Sequence, residues 1–64
     1  MSKRYSSEDL IKIVELDGWS NVSKSGSHLK FKHPIKAGIV VIPHPKKDMP
    51  TGTAQNVLRM AGLK

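Results

Sequence analysis

Glycine and proline divide this chain into short segments, and this punctuation limits the structures that it can form. Five glycines and four prolines occur in 64 residues. Gly18 and Gly62 each follow a segment with helical spacing, at positions where a left-handed residue commonly ends a helix. Pro43 and Pro45 follow a β-branched run and end it, because proline donates no ladder hydrogen bond. The sequence therefore predicts several short elements within a single domain that spans residues 1–64.

Two of the segments have the apolar spacing of amphipathic helices. The first is expected over residues 6–17, with Ser6 as its N-cap and Asp9 completing a capping box. The second is expected to begin near Thr51 or Thr53, and either threonine can serve as its N-cap. Each predicted helix has one apolar stripe, so each is expected to cover a sheet.

Three strands are predicted between these helices. Residues 28–33 alternate, so that Leu29 and Phe31 face one way and the basic residues face the other. The other two strands are expected at residues 19–23 and 38–42, with turns before and after residues 28–33. Short connections favour an antiparallel meander with both helices on one face. The predicted fold class is α+β, an α-β-β-β-α domain that resembles double-stranded-RNA-binding domains.

The charged residues are segregated along the chain. The formal net charge is +6, and no acidic residue occurs between Asp17 and Asp48. That stretch contains six lysines and all three histidines. A segregated basic surface suits a polyanion, above all the nucleic-acid backbone. A lysine-rich face that only keeps the protein in solution is the plainer alternative.

Composition also excludes several classes of protein and site. The chain has no cysteine, so it forms neither a disulfide nor a thiolate metal site. Its N-terminus lacks the apolar run of a signal peptide, and its longest apolar stretch, residues 39–43, is too short to span a bilayer. The three histidines do not have metal-ligand spacing. A cytoplasmic protein that uses no metal or other cofactor is expected.

His28 has the best setting for proton transfer among the three histidines. It follows a Gly-Ser turn whose backbone N–H groups can approach a phosphate, and it shares a predicted strand face with Lys30 and Lys32. Cleavage of RNA by its own 2′-hydroxyl needs a base, an acid and positive charge beside the phosphate. His28 is therefore a candidate general acid or base. An exposed strand histidine without a task is the alternative.

The other polar candidates have weaker settings. His33 has the opposite strand parity and is expected to be structural or to cap a turn. His44 stands in a rigid extended segment and is a possible auxiliary residue near the same site. Ser25 and Ser27 are more typical of a turn than of a nucleophile. The residues expected to bind RNA are Lys24, Ser25, Gly26, Ser27, Lys30, Lys32, Lys46 and Lys47.

Several short motifs follow one another along the chain, at residues 26–28 (Gly-Ser-His), residues 31–34, residues 40–48, residues 52–53 and residues 61–63. In order and spacing they together resemble those of the HicA toxins, over nearly the whole chain. The resemblance implies a double-stranded-RNA-binding-like domain that acts as an mRNA interferase and halts growth. It also implies that the histidine of the Gly-Ser-His motif is catalytic.

The resemblance further implies a type II toxin–antitoxin system in which a HicB-type antitoxin binds and blocks the toxin. The expected activity is metal-independent endoribonuclease cleavage of mRNA by His28. Where the family carries more lysine in the last helix, this chain has Gln55-Asn56-Val57-Leu58, which leaves Leu58 or Met60 for a partner. Two alternatives remain open from the residues alone. One is a non-catalytic nucleic-acid-binding module, and the other is an interaction subunit that meets an acidic protein.

Overall fold

The computed structural model describes residues 4–64, which form two helices and a three-stranded sheet. The strands are antiparallel and lie in the order β1-β2-β3. Both helices pack against β3 and against each other, which confirms the predicted α+β architecture. The elements in chain order are α1 (Ser7–Leu16), β1 (Ser20–Ser25), β2 (His28–Lys32), β3 (Val40–Pro43) and α2 (Thr51–Met60).

The start and end of α1 follow the sequence prediction. The Ser6 hydroxyl accepts a hydrogen bond from the Asp9 N–H, and the Asp9 carboxylate accepts one from the Ser6 N–H, so the capping box is complete. Leu10 and Val14 of the apolar stripe are fully buried. Gly18 has a φ of +108°, which lets the chain leave the helix and enter β1.

The hairpin that joins β1 to β2 is tighter than predicted. β1 ends at Ser25 and not at residue 23, because two residues suffice for the turn. Gly26 has a φ of +60° and Ser27 has a negative φ, which is the pattern of a type II′ turn. The predicted four-residue turn is therefore wrong in length, although its glycine has the expected role.

β3 differs from the prediction at both ends, and α2 begins at Thr51 as predicted but has a different N-cap. β3 begins at Val40 and includes Pro43. Proline has no N–H to donate, and an edge strand tolerates it because N–H groups on the outer side of the strand have no ladder partner. Pro50 is the N-cap of α2, so neither Thr51 nor Thr53 caps that helix through its side chain. The chain enters α2 from Met49, which is fully buried and has a backbone N–H that donates to the Tyr5 carbonyl at 2.8 Å.

The apolar core fills the space between the two helices and the inner face of β2 and β3. Each of these elements contributes to it, whereas every residue of β1 is exposed because no helix covers that strand. Within residues 4–64, neither helix is long and apolar enough to cross a membrane. The core residues are Leu10, Val14, Trp19, Phe31, Val40, Ile42, Met49, Ala54, Val57 and Ala61.

His33 organises the connection between β2 and β3, as its strand parity predicted. Its Nδ1 accepts hydrogen bonds from the Ile35 and Lys36 N–H groups, each at 3.0 Å. Because Nδ1 is an acceptor, the proton lies on Nε2, which donates to the Asp17 carbonyl at 2.8 Å. The ring also contacts Trp19 edge-on, with 5.2 Å between ring centroids. The structural, turn-capping role is confirmed.

Lys36 joins the C-terminal ends of the two helices. Its ammonium group donates to the Asp17 carboxylate at the end of α1 and to the Ala61 carbonyl at the end of α2, the latter at 3.0 Å. The ammonium lowers the pKa of the Asp17 carboxyl below its ordinary value, mainly through the hydrogen bond between them. Lys36 belongs to the basic stretch of the sequence, but in the fold it acts as a structural cap.

Candidate functional site

His28 is the first residue of β2 and follows the Gly26–Ser27 turn directly. Since Phe31 is buried beneath the helices, strand alternation places His28 on the opposite, open face of the sheet. Its cross-strand neighbours on that face are Ser25 of β1 and Pro43 of β3. The imidazole is therefore accessible from solvent, at the end of the sheet where a tight turn meets an edge strand.

Two lysines continue the row that His28 begins. Lys30 and Lys32 are exposed and have the same strand parity, so the three side chains lie on one face about 7 Å apart. Lys30 is flanked by Ser23 and Val41, and neither neighbour is acidic. The structure thus brings these three predicted residues together in what we call the lysine row, His28, Lys30 and Lys32.

Lys24 does not belong to the lysine row. It pairs with Leu29, whose side chain faces the core, so Lys24 lies on the helix side of the sheet. It remains exposed because β1 extends beyond the helices. Ser25 lies on the same face as His28, and Gly26 and Ser27 form the turn beside it.

The segment after β3 lies against the hairpin turn. The His44 N–H donates to the Ser27 carbonyl at 2.7 Å, which continues the β2–β3 pairing one residue beyond Pro43. The structure therefore brings the His44 backbone beside the turn. His44, however, is half-buried and lines a pocket at the start of α1. Because Pro43 pairs with His28, alternation places the next side chain off the face of the lysine row.

This pocket, which we call the α1 pocket, has a volume of about 180 Å³ and is open to solvent. Ser7 holds its walls together, since its N–H donates to the Lys46 carbonyl at 2.8 Å and its hydroxyl donates to the Pro43 carbonyl at 2.5 Å. Lys46 and Lys47, both predicted to bind RNA, lie at its rim and are exposed. The pocket is lined by Ser6, Ser7, Glu8, His44, Pro45, Lys46 and Lys47.

Sequence reasoning missed the roles of Ser7 and Glu8. Ser7 is nearly fully buried, but its hydrogen bonds reach residues far away in the chain, so no local sequence pattern predicts them. Glu8 is an acidic residue in the first turn of a helix, where such residues are common for electrostatic reasons. No sequence pattern therefore indicates that Glu8 also lines the α1 pocket.

The arrangement at the lysine row is suited to proton transfer beside a phosphate. An exposed imidazole is the side chain that best exchanges protons near neutral pH, and the adjacent ammonium groups can bind phosphate oxygens. The described part of the chain, residues 4–64, contains no cluster of three or more His, Cys, Asp or Glu residues that could hold a metal ion. A strand of RNA fits such an open face better than an enclosed metabolite does.

Comparisons with known proteins agree with this architecture. The family model described as the HicA toxin of bacterial toxin–antitoxin systems matches residues 7–63. A solved structure, the HicA3 and HicB3 toxin–antitoxin complex, contains a chain that is 33% identical, with 94% of this chain and 97% of that chain covered and a TM-score of 0.72. A comparison with curated proteins found no match. Because the family model covers nearly the whole chain, this protein belongs to the HicA toxin family of bacterial toxin–antitoxin systems.

Proposed function

We propose that this toxin is an endoribonuclease that cleaves mRNA in the cytoplasm, acts as a single domain and uses His28 as its catalytic residue. The observation that carries the proposal is the position of His28 at the head of the lysine row, on a sheet face that no helix covers. Membership of the HicA family supports the same assignment. No metal ion takes part in the proposed reaction.

The proposed reaction is attack by the RNA 2′-hydroxyl on the adjacent phosphorus. The 2′-oxygen forms a bond to phosphorus as its proton leaves, and the bond to the 5′-oxygen breaks as that oxygen gains a proton. His28 makes one of these two transfers, and Lys30 and Lys32 stabilise negative charge on phosphate oxygens. The products are a 2′,3′-cyclic phosphate and a 5′-hydroxyl end.

RNA binding is expected to extend from the lysine row across the hairpin turn. Ser25, Gly26 and Ser27 present polar groups and backbone N–H groups beside His28. Lys46 and Lys47 follow His44, whose N–H donates to the Ser27 carbonyl. Lys24 adds positive charge from the flank. Contacts of this kind bind the backbone of RNA and carry little base information.

The proposed partner is a HicB-type antitoxin that binds this toxin and blocks cleavage. Support comes from the solved HicA3 and HicB3 toxin–antitoxin complex, which contains a chain that resembles this one over nearly its full length. Co-expression with the antitoxin is expected to restore growth, and the purified complex is expected to leave mRNA intact.

Replacement of the candidate catalytic residue tests the proposal in cells. His28→Ala is expected to abolish growth arrest, whereas Lys12→Ala, an exposed change on α1 away from the lysine row, is expected to leave it intact. Because His28 is exposed and makes no core contact, the variant should fold normally, which circular dichroism checks. Growth arrest by His28→Ala at wild-type protein levels would refute the assignment.

A non-catalytic RNA-binding module is the second candidate. It is favoured by one observation: within residues 4–64, no side chain hydrogen-bonds to His28 to orient its ring. Incubation of the purified protein with end-labelled mRNA separates the two functions. The proposed enzyme produces shorter fragments, whereas the binding module shifts the RNA on a native gel and leaves it whole.

A further inference from the structure

We propose that the α1 pocket is a base-binding subsite that holds the nucleotide next to the phosphate at His28 and prefers guanine. The inference rests on the proposed endoribonuclease function. It assigns a binding site for one base on the proposed RNA-binding surface, whose other contacts are to phosphate groups.

The pocket adjoins His28 across the β2–β3 pairing. Pro43 pairs directly with His28 across the sheet, and His44 is the next residue along the chain. Cross-strand partners have Cα atoms about 5 Å apart and consecutive residues about 4 Å, so His28 and the pocket wall are neighbours. The bond from the His44 N–H to the Ser27 carbonyl fixes that proximity. In the proposal, an RNA strand whose phosphate sits at His28 turns around the β3 edge of the sheet to place its next base in the pocket.

The size and walls of the pocket suit one planar base. Its volume of about 180 Å³ is below the range of pockets that enclose whole drug-sized ligands. His44 and Pro45 line it, and imidazole and proline rings are surfaces against which an unstacked base can lie. The two Ser7 hydrogen bonds hold these walls in place before any ligand arrives.

Glu8 provides the hydrogen-bond acceptor in this pocket. Asp9 is engaged in the capping box and Asp48 pairs with Arg4, whereas within residues 4–64 Glu8 forms neither an ion pair nor a hydrogen bond. A carboxylate has two acceptor oxygens and no donor. Guanine is the base that offers two adjacent N–H donors on its Watson–Crick edge, so it matches both oxygens at once.

The lysines at the rim complete the proposed contact with a nucleotide. Lys46 and Lys47 are exposed and within residues 4–64 have no acidic partner. Their ammonium groups are placed to bind the phosphate of the nucleotide whose base enters the pocket. The pocket thus combines the base acceptor, a stacking surface and phosphate-binding charge in one short stretch of surface.

Binding of short RNAs that cannot be cleaved tests the subsite. Fluorescent oligoribonucleotides with 2′-O-methyl groups are varied at one position at a time, and affinity is measured by anisotropy. The wild type is expected to prefer guanine over adenine at one position by about tenfold, the order of one good base-edge contact. Glu8→Gln is expected to abolish this preference, because the amide replaces one acceptor with a donor. Glu15→Gln, an equivalent change at the far end of α1, is expected to retain it.

The lysines are tested by the salt dependence of the same binding reaction. Lys46→Ala and Lys47→Ala are each expected to lower the slope of log affinity against log salt by about 0.7, the value for one phosphate contact on a single strand. Lys12→Ala is the matched control and is expected to leave the slope unchanged.

Three results would overturn the subsite. Wild-type protein that binds or cuts RNA without any base preference refutes the subsite alone. A guanine preference that survives Glu8→Gln assigns the reading of bases to other residues. Wild-type protein that neither binds nor cuts any RNA refutes the proposed function and, with it, this inference.

Discussion

His28 and His33 lie five positions apart, at the start of β2 and just after its end, yet the fold uses them in opposite ways. His33 satisfies three backbone groups and packs against Trp19, whereas His28 remains exposed at the head of the lysine row. Strand parity was enough to predict this difference. The particular bonds of His33 were not predictable, because they depend on where Asp17 and Lys36 are placed by the rest of the fold.

Removal of the His33 ring is expected to destabilise the protein. His33→Ala leaves two backbone N–H groups and one carbonyl without their partner, and each lost hydrogen bond costs about 1 kcal/mol. A loss of about 2–3 kcal/mol in the free energy of unfolding is therefore expected from urea denaturation. His28→Ala is the control and should change that free energy by less than about 0.5 kcal/mol. Equal stability of the two variants would contradict the structural role of His33.

The elements show how turns and caps set boundaries that periodicity alone leaves imprecise. The capping box of α1 was predictable because its residues are local to Ser6 and Asp9. The exit of β1 was not, because a two-residue turn at Gly26 lets the strand run on. α2 begins at Thr51 as predicted, but its N-cap is Pro50 and no threonine side chain caps the helix.

The hairpin turn and α2 offer a pair of glycines for comparison. Gly26 has a φ of +60°, so Gly26→Ala forces a side chain into a backbone conformation that costs about 1–2 kcal/mol. Gly52 lies in α2 without a positive φ, and an added Cβ there meets open space. Gly52→Ala is therefore expected to stabilise the protein by about 0.5–1 kcal/mol. Urea denaturation that finds no loss of stability for Gly26→Ala would contradict the type II′ turn.

The ion pair between Lys36 and Asp17 at the helix ends makes the stability of the fold depend on pH. The Lys36 ammonium lowers the pKa of the Asp17 carboxyl from its ordinary value of 3.8, so the charged carboxylate favours the folded state. That contribution is fully present above the ordinary pKa and is lost as pH falls through the lower, folded-state pKa. Thermal melts from neutral pH down to pH 2 should show a shallower loss for Asp17→Asn than for the wild type. An identical acid profile would rule out this contribution.

At the scale of the whole molecule, the sequence predicted the lysine row, whose residues alternate along one strand. It did not predict the α1 pocket, whose residues come from separate parts of the chain. Alternation along β2 sufficed to place His28 with Lys30 and Lys32. The α1 pocket needs bonds from Ser7 to Pro43 and to Lys46, which join the two ends of the fold and leave no mark in local spacing. The basic stretch was likewise too coarse a guide, because strand register separates its lysines onto different surfaces.

That separation predicts unequal contributions to RNA binding. Lys30→Ala and Lys32→Ala are each expected to weaken binding to RNAs of any sequence and to lower the salt slope by about 0.7 on single strands. Lys24→Ala is expected to have a smaller effect, because Lys24 lies on the helix side of the sheet. Anisotropy titrations between about 50 and 200 mM salt measure these slopes. Equal slopes for all three variants would show that the lysine row does not define the binding face.

The central claim is that His28 carries out chemistry and does not merely bind RNA. Single-turnover cleavage of end-labelled mRNA in the presence of EDTA tests it directly, with affinity measured on the same RNA. The account predicts that His28→Ala slows cleavage by about 10²–10⁴-fold while affinity changes little. Cleavage by His28→Ala at the wild-type rate, or no cleavage by the wild type without added metal, would contradict it.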